Sequence, residues 1–387
     1  MDYGMPTDVI EFRDQVRAFI QQHKTPALEA EVALGHRLGY GAESRRFLKA
    51  VADAGFTSLA WPKEYGGQGK GALFLWTLAE ELSYEEMPFD TLTFNSIGPT
   101  IMNFGSEEQK RDWLPKVQAG DMSFALGYTE PNAGTDLAAL QTRAVRDGDE
   151  WVINGQKIYT SHAHLSTHVF LAARTDPQAP KHRGISMFVF PLNTPGVTVR
   201  PLWTMGVGRT NETFYEDVRI PAESLVGEEN RGWYMLSSAL DLERVAIATF
   251  RSLQRPVDQL VGYIKEHRPD LKADGETRHA VAQARMRVET ARALATTNAT
   301  LVHNDIIPTM EASMAKVWVS DSRERISNLA MDVLGRAGGL QRENGEEAPV
   351  GGTFEEDWRS SPPGRFGGGT NDIQRRIIAC RGLGLPR

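Results

Sequence analysis

Apolar residues at Val9, Phe12, Val16, Phe19 and Ile20 recur at the spacing of one helix face. Asp8 followed by Glu11 has the form of a capping box, so the chain is predicted to open on an amphipathic helix. The pattern stays helical to about residue 120, with segments such as 44–54 and 74–84 alternating with turns like Tyr65-Gly-Gly-Gln-Gly69. From about 121 to 230 it changes to short β-rich runs (151–153, 169–172, 185–190, 197–199) punctuated by Gly, Asn and Pro, which predicts a small β-domain. After Gly232 long stretches rich in Ala, Leu, Arg and Glu return, with breaks expected at Pro256, at 265–275 and at Pro308; these imply a C-terminal bundle. The run 338–352 is too polar and glycine-rich for a packed helix and is read as a loop at a surface or subunit contact. The reading is a mainly α chain with a central β-domain, in three units: 1–120, 121–230 and 231–387.

One predicted helix carries an anomaly. Over 233–250, Leu236, Leu240, Glu243, Ile247 and Phe250 follow one another at spacings of four, three, four and three, which sets a carboxylate in the middle of an apolar stripe. A charge there needs a reason. It is either a partly buried ion pair with Arg244 or a helix-edge residue, or else a base whose pKa desolvation raises toward the working pH.

Composition narrows the classes. A chain of 387 residues, 41% hydrophobic, can bury a large core, and its net charge of −7 offers no basic footprint for nucleic acid. Cys380 is the single cysteine, so there is no disulfide framework and no cysteine cluster for zinc. No apolar run approaches the roughly 20 residues that cross a bilayer, and no signal-peptide order opens the chain. The expectation is a cytoplasmic protein with no membrane contact.

Residues 127–137, Gly-Tyr-Thr-Glu-Pro-Asn-Ala-Gly-Thr-Asp-Leu, crowd small hydroxyl, amide and glycine groups behind the apolar stretch 122–126. Such a run serves either as an ordinary surface turn or as a cofactor loop whose threonine hydroxyls and N–H groups meet ring heteroatoms. Further on, Trp151-Val-Ile-Asn-Gly-Gln-Lys-Ile-Tyr-Thr-Ser161 reads as strand, tight turn and second strand, ending in an aromatic and two hydroxyls. Two smaller signals carry no separate chemistry. Gly66-Gly-Gln-Gly-Lys-Gly71 lacks the Ser or Thr a phosphate loop requires after Gly-Lys, and His162 and His164 have no third ligand at recognisable spacing. No Gly-x-Ser-x-Gly elbow occurs.

Together the two longer segments resemble the acyl-CoA dehydrogenases, with their Thr-Glu-Pro-x-Ala-Gly-(Ser/Thr)-Asp loop and their aromatic-x-(Thr/Ser) strand end. The resemblance continues in family order through Trp61-Pro-Lys-Glu-Tyr-Gly-Gly67, Phe104-Gly-Ser-Glu-Glu-Gln-Lys110, Glu216-Asp-Val-Arg-Ile-Pro221 and Gly367-Gly-Gly-Thr-Asn-Asp-Ile-Gln374. It implies an N-terminal helical bundle, a small β-barrel and a C-terminal four-helix bundle. It also implies FAD as cofactor, α,β-dehydrogenation of an acyl-CoA, and reoxidation by an electron-transfer flavoprotein. By position, Leu126, Tyr128, Thr129 and Thr135 would line the pyrimidine side of the flavin. Tyr159 would stack near the ring, Thr160 and Ser161 would sit close to N5, and Thr370 would approach from the C-terminal segment. Thr135, Asp241 and Arg244 would meet substrate.

The family's usual catalytic glutamate precedes the Gly-Thr of the last segment, where this chain has Gly368. Branches acting on branched or long acyl chains carry the base on the preceding helix in a Leu-x-x-Glu-Arg context, which Leu240 to Arg244 match; the resemblance thus implies Glu243 as the base. The backbone N–H of Gly368 would then hold the thioester oxygen. Three glycines at 367–369 suit a bulky branched or sterol-derived acyl group. Homotetrameric relatives clamp the adenosine diphosphate half of FAD with a neighbour's Arg-x-x-Phe-Gly and Gln-x-x-Gly-Gly. This chain departs at both, with Tyr263-Ile-Lys-Glu-His-Arg-Pro-Asp-Leu-Lys272 and Asp332-Val-Leu-Gly-Arg336. The expected assembly is a heterotetramer with a second, related chain, as in actinobacterial steroid-degrading relatives; otherwise it is a homo-oligomer. Two further readings stay open: a non-catalytic partner subunit, and a flavin oxidase or monooxygenase on the same scaffold.

Overall fold

The structure is a computed structural model that describes residues 5–33, 41–206, 208–237 and 249–386. Helices α1 (Thr7–His23), α2 (Pro26–Ala33), α3 (Ala42–Asp53), α4 (Ala72–Tyr84), α5 (Gly98–Phe104) and α6 (Glu107–Ala119) come first. Val9, Phe12, Val16 and Ile20 form the buried face of α1 as their spacing requires, and three of them meet Phe47 and Val51 of α3 and Leu78 and Leu82 of α4. The expected capping box is not made. Pro6 occupies the N-cap at φ −54°, so the helix begins two residues early, and Asp8 lies inside the first turn, where its carboxylate accepts the Val9 N–H at 2.9 Å. A capping box does form at α6, between Ser106 and Gln109. The same Gln109 amide donates to the carbonyls of Glu223 and Leu225 at 2.7 and 2.8 Å, tying the helices to the β-domain.

That domain is an eight-stranded sheet of β1 (Phe124–Gly127), β2 (Arg143–Asp147), β3 (Glu150–Lys157), β4 (His168–Arg174), β5 (Ile185–Pro191), β6 (Val197–Trp203), β7 (Arg209–Pro221) and β8 (Leu225–Val226). The order is β6-β7-β3-β2-β4-β5-β8, with β1 parallel to β4. Alternation divides β4 between two cores. Val169, Leu171 and Ala173 pack with Trp151, Phe188 and Tyr215, whereas Phe170 and Ala172 pack with Ile97, Ile101, Leu114 and Val117 of the helical domain.

The C-terminal part holds α7 (Arg251–His267), α8 (Gly275–His303), α9 (Thr309–Leu334), α10 (Thr353–Ser360) and α11 (Asn371–Ile377). Pro256 does not break the bundle as its residue type suggested. It lies within α7, where burial of Leu253, Val257, Leu260 and Ile264 outweighs the lost backbone hydrogen bond. The run 338–352 forms short 3-10 turns.

Candidate active site

The loop after β1 is built by its neighbours. A side-chain carbon at Gly127 would lie 2.8 Å from Leu171 Cδ1 and 3.0 Å from Val169 Cγ2, so only glycine lets β1 approach β4 this closely. The Tyr128 ring packs 6.2 Å from Phe170, and Glu130 and Ala133 exchange backbone hydrogen bonds at 3.1 Å that close the tight turn through Pro131 and Asn132. Thr129 is half-buried, whereas Thr135 is exposed at the loop's outer end.

The strand end of β3 lies directly against this loop. Ile158 donates its N–H to the Thr129 carbonyl at 2.9 Å, and buried Lys157 donates to the Tyr128 carbonyl at 3.0 Å and to the Glu130 carboxylate at 2.8 Å. Glu130 further accepts the N–H groups of Gln141 and Thr142. Burial acts to raise the Glu130 carboxyl, but the Lys157 charge and the hydrogen bonds from Lys157 and Thr142 carry it below its usual value. Burial lowers Lys157 to about 8, and the Glu130 charge and hydrogen bond oppose that shift.

Beyond Lys157 the backbone turns sharply. Tyr159 takes φ +58°, rare for a bulky residue, with 62% of its surface exposed. Its successor holds it there: Thr160 is fully buried, donates its N–H to the Asn211 carbonyl at 2.9 Å and accepts Asn211 Nδ2 at 2.9 Å. Exposed Ser161 shares a hydrogen bond with Thr210. His164 meets the Asn211 amide.

The C-terminal segment is held by a separate network. Gly368 and Gly369 adopt φ +65° and +84°, and Gln374 Nε2 donates to the Gly368 carbonyl at 3.1 Å. Thr370 caps α11 by accepting the Ile373 N–H, and the next residue, Asn371, accepts the buried Lys316 ammonium at 2.8 Å. Phe366 stands 67% exposed beside the glycines. Among the described residues no hydrogen bond joins this segment to the first two. Asp241, Glu243 and Arg244 lie outside the described residues, as does Leu240; the chain is helical over 232–237.

Sequence reasoning thus singled out Tyr128, Thr129, Tyr159 and Ser161, which the fold does bring together. It passed over Glu130, Lys157, Asn211 and Lys316, whose partners are distant in sequence. Lys157 and Glu130 stand inside the two quoted motifs, one at the buried end of β3 and the other in the turn, and are the buried charged residues there.

Tyr159 presents an exposed aromatic ring and Ser161 an exposed hydroxyl at the strand end that lies against the 127–137 loop, and such groups fit an isoalloxazine ring. Three family models cover the chain: the acyl-CoA dehydrogenase N-terminal domain at residues 7–121, the middle domain at 125–218 and the C-terminal domain at 230–383. Acyl-CoA dehydrogenase FadE26 of Mycobacterium tuberculosis is 38% identical over 97% of both chains, and FadE29 of the same organism is 33% identical over 90% of each. The Tcur3481-Tcur3483 steroid ACAD superposes with a TM-score of 0.93 at 36% identity, and the ChsE4-ChsE5 complex from Mycobacterium tuberculosis with 0.91 at 35%, each over 100% of both chains. The chain belongs to the acyl-CoA dehydrogenase family, the FAD-dependent flavoproteins that oxidise acyl-CoA.

Proposed function

We propose that this chain is the base-bearing subunit of an enzyme that introduces the α,β-double bond into a bulky branched or sterol-derived acyl-CoA. FAD supplies the hydride acceptor, N5 of its ring, when bound. Glu243 removes the α-proton, and the Gly368 N–H stabilises negative charge growing on the thioester oxygen. Leu126, Tyr128, Thr129 and Thr135 line the pyrimidine side, with Tyr159 against the ring, Thr160 and Ser161 near N5, and Thr370 opposite. Thr135, Asp241 and Arg244 face substrate, and an electron-transfer flavoprotein is the oxidant.

The observation that carries this reading is the left-handed backbone at Gly368. A glutamate side chain at that position would be strained, so a base is needed elsewhere, and Glu243 is the carboxylate on an apolar stripe. A second, related chain completes the assembly. Its support is that both segments departing from the homotetramer pattern adjoin in space: Arg268 Nη1 donates to the Val333 carbonyl at 2.7 Å and pairs with Asp270. An arginine so engaged, beside the exposed Asp332, makes a poor phosphate clamp. The relatives named for a steroid ACAD and for a two-chain complex agree with both parts.

The test is anaerobic bleaching of the flavin by branched and sterol-type acyl-CoAs, using the chain co-expressed with a neighbouring dehydrogenase-like gene. Loss of bleaching in Glu243→Gln with FAD retained is the expected result. Equal bleaching in parent and variant would move the base to the partner and leave this chain a supporting subunit.

A further inference from the structure

Lys157 is fully buried, yet its ammonium is spent on the loop rather than on solvent or substrate. A buried ion pair is weak evidence for a stability role, because well-packed apolar side chains of the same volume often serve a core as well or better. What an apolar side chain cannot do is hydrogen-bond the Tyr128 carbonyl.

That carbonyl belongs to the peptide whose N–H is Thr129's. The peptide is trans, so its N–H points away from the side on which its C=O is held. The next carbonyl, that of Thr129, is taken by the Ile158 N–H, and the Glu130 N–H by the Ala133 carbonyl. Among the hydrogen bonds of the described residues the Thr129 N–H donates to none, although Thr129 is half-buried. A buried or half-buried N–H without a protein acceptor calls for a ligand or water.

We propose that Lys157 is a positioning residue of the flavin site: by gripping the Tyr128 carbonyl it fixes the Tyr128–Thr129 peptide so that the Thr129 N–H is presented to a flavin heteroatom. This rests on the reading that the loop lines the flavin. Glu130 has the subordinate part of keeping Lys157 charged and aimed, itself anchored by the N–H groups of Gln141 and Thr142 at 2.6 and 2.8 Å. Arg174 is the other cation near the pair; its guanidinium donates to the carbonyls of Ala138 and Leu140 and keeps the far side of the loop closed.

The experiment uses the full-length holoenzyme, with any related chain that co-purifies, and measures FAD affinity, the visible flavin spectrum and unfolding. Lys157→Met alone strands the Glu130 carboxylate and threatens folding, so the decisive protein is Glu130→Gln/Lys157→Met, which leaves no unpaired buried charge. The double variant is expected to unfold near the parent's midpoint but to bind FAD about tenfold more weakly, the worth of the one Thr129 N–H hydrogen bond to the ring, with a shifted flavin band. Glu130→Gln alone leaves Lys157 without its counter-charge but still able to donate to the Tyr128 carbonyl as a neutral amine, so it should lose stability while weakening FAD binding less than the double variant does. An unshifted band and parent-like affinity in the double variant would overturn the assignment, as would affinity losses that merely track stability. Tyr159→Ala separates the two claims. If it weakens FAD while the double variant does not, only the role of Lys157 fails; if neither does, the flavin does not lie on these segments.

Discussion

Glu80 of α4 accepts the backbone N–H of Arg251 at 2.9 Å, and its second oxygen accepts that of Phe250 at 3.1 Å. One carboxylate from the N-terminal helices thereby caps α7, 170 residues away in sequence. It fixes the chain directly after the segment that carries Glu243. Arg251 adds a second tie through Glu81, which also pairs with Arg17. The junction between the N-terminal helices and α7 is therefore built from the Glu80 hydrogen bonds and the Glu81 ion pairs as well as from apolar packing.

Removing that cap strands two N–H groups at a buried helix start. Glu80→Ala is expected to cost about 2–4 kcal/mol, and Glu80→Gln less, because its amide oxygen still accepts one of the two. Urea unfolding midpoints measure both; equal values for parent and Ala variant would show that solvent replaces the cap.

Glu80 also predicts a pH dependence. Burial is the largest influence and pushes its carboxyl up to about 8, against the opposing N–H groups, Arg251 and Trp76. The unfolded chain releases this proton near 4.5 and the folded one near 8, so between those values the native state binds more protons. The contribution is complete below about pH 4.5 and is lost as pH rises toward 8. Stability of the parent relative to Glu80→Gln should fall across that window and level off above it. A constant difference from pH 5 to 8 would mean that Glu80 is ionised throughout.

Two glycines of the 127–137 loop should respond oppositely. Gly127→Ala drives a methyl into Leu171 and Val169 and is expected to cost about 1–3 kcal/mol. At Gly134 the nearest atom to an added carbon is Thr129 Cγ2 at 3.8 Å, and φ lies outside the left-handed range. Gly134→Ala should therefore be neutral or stabilise by up to about 1 kcal/mol. Thermal unfolding of the pair distinguishes a glycine required by the core from one that is only part of a turn.

Legibility in the sequence followed the physical signal each element carried. β4 and β5 were visible because both faces are apolar, one for each core. β7, the longest strand, was not: its buried positions include Thr210, Asn211 and Thr213, which are satisfied by Thr160, Ser161, His164 and Tyr215 rather than by packing. A polar strand has no hydrophobic period to read. Pro256 gave a misleading break, since four buried aliphatic residues of α7 outweigh one missing hydrogen bond. The 127–137 loop was legible as a turn through its Gly, Pro, Asn and Asp residues, and as a family segment through its resemblance. The Glu130–Lys157 pair, 27 residues apart, follows from the register of β3 against that loop, which no local pattern encodes.

Tyr159 tests whether backbone strain has been kept for function. A tyrosine at φ +58° costs on the order of 1 kcal/mol or more, and here its ring recovers little by burial, being 62% exposed. Glycine adopts that backbone freely, though it brings extra entropy to the unfolded chain. Tyr159→Gly is therefore expected to hold stability or raise it by up to about 1 kcal/mol while lowering FAD retention and turnover. Thermal unfolding of the apo chain paired with flavin content decides the matter. A destabilisation beyond about 1 kcal/mol would show the ring to be part of the fold. Preserved stability with weakened flavin binding would show that the left-handed turn exists to hold an aromatic face outward, where the fold alone would have chosen glycine.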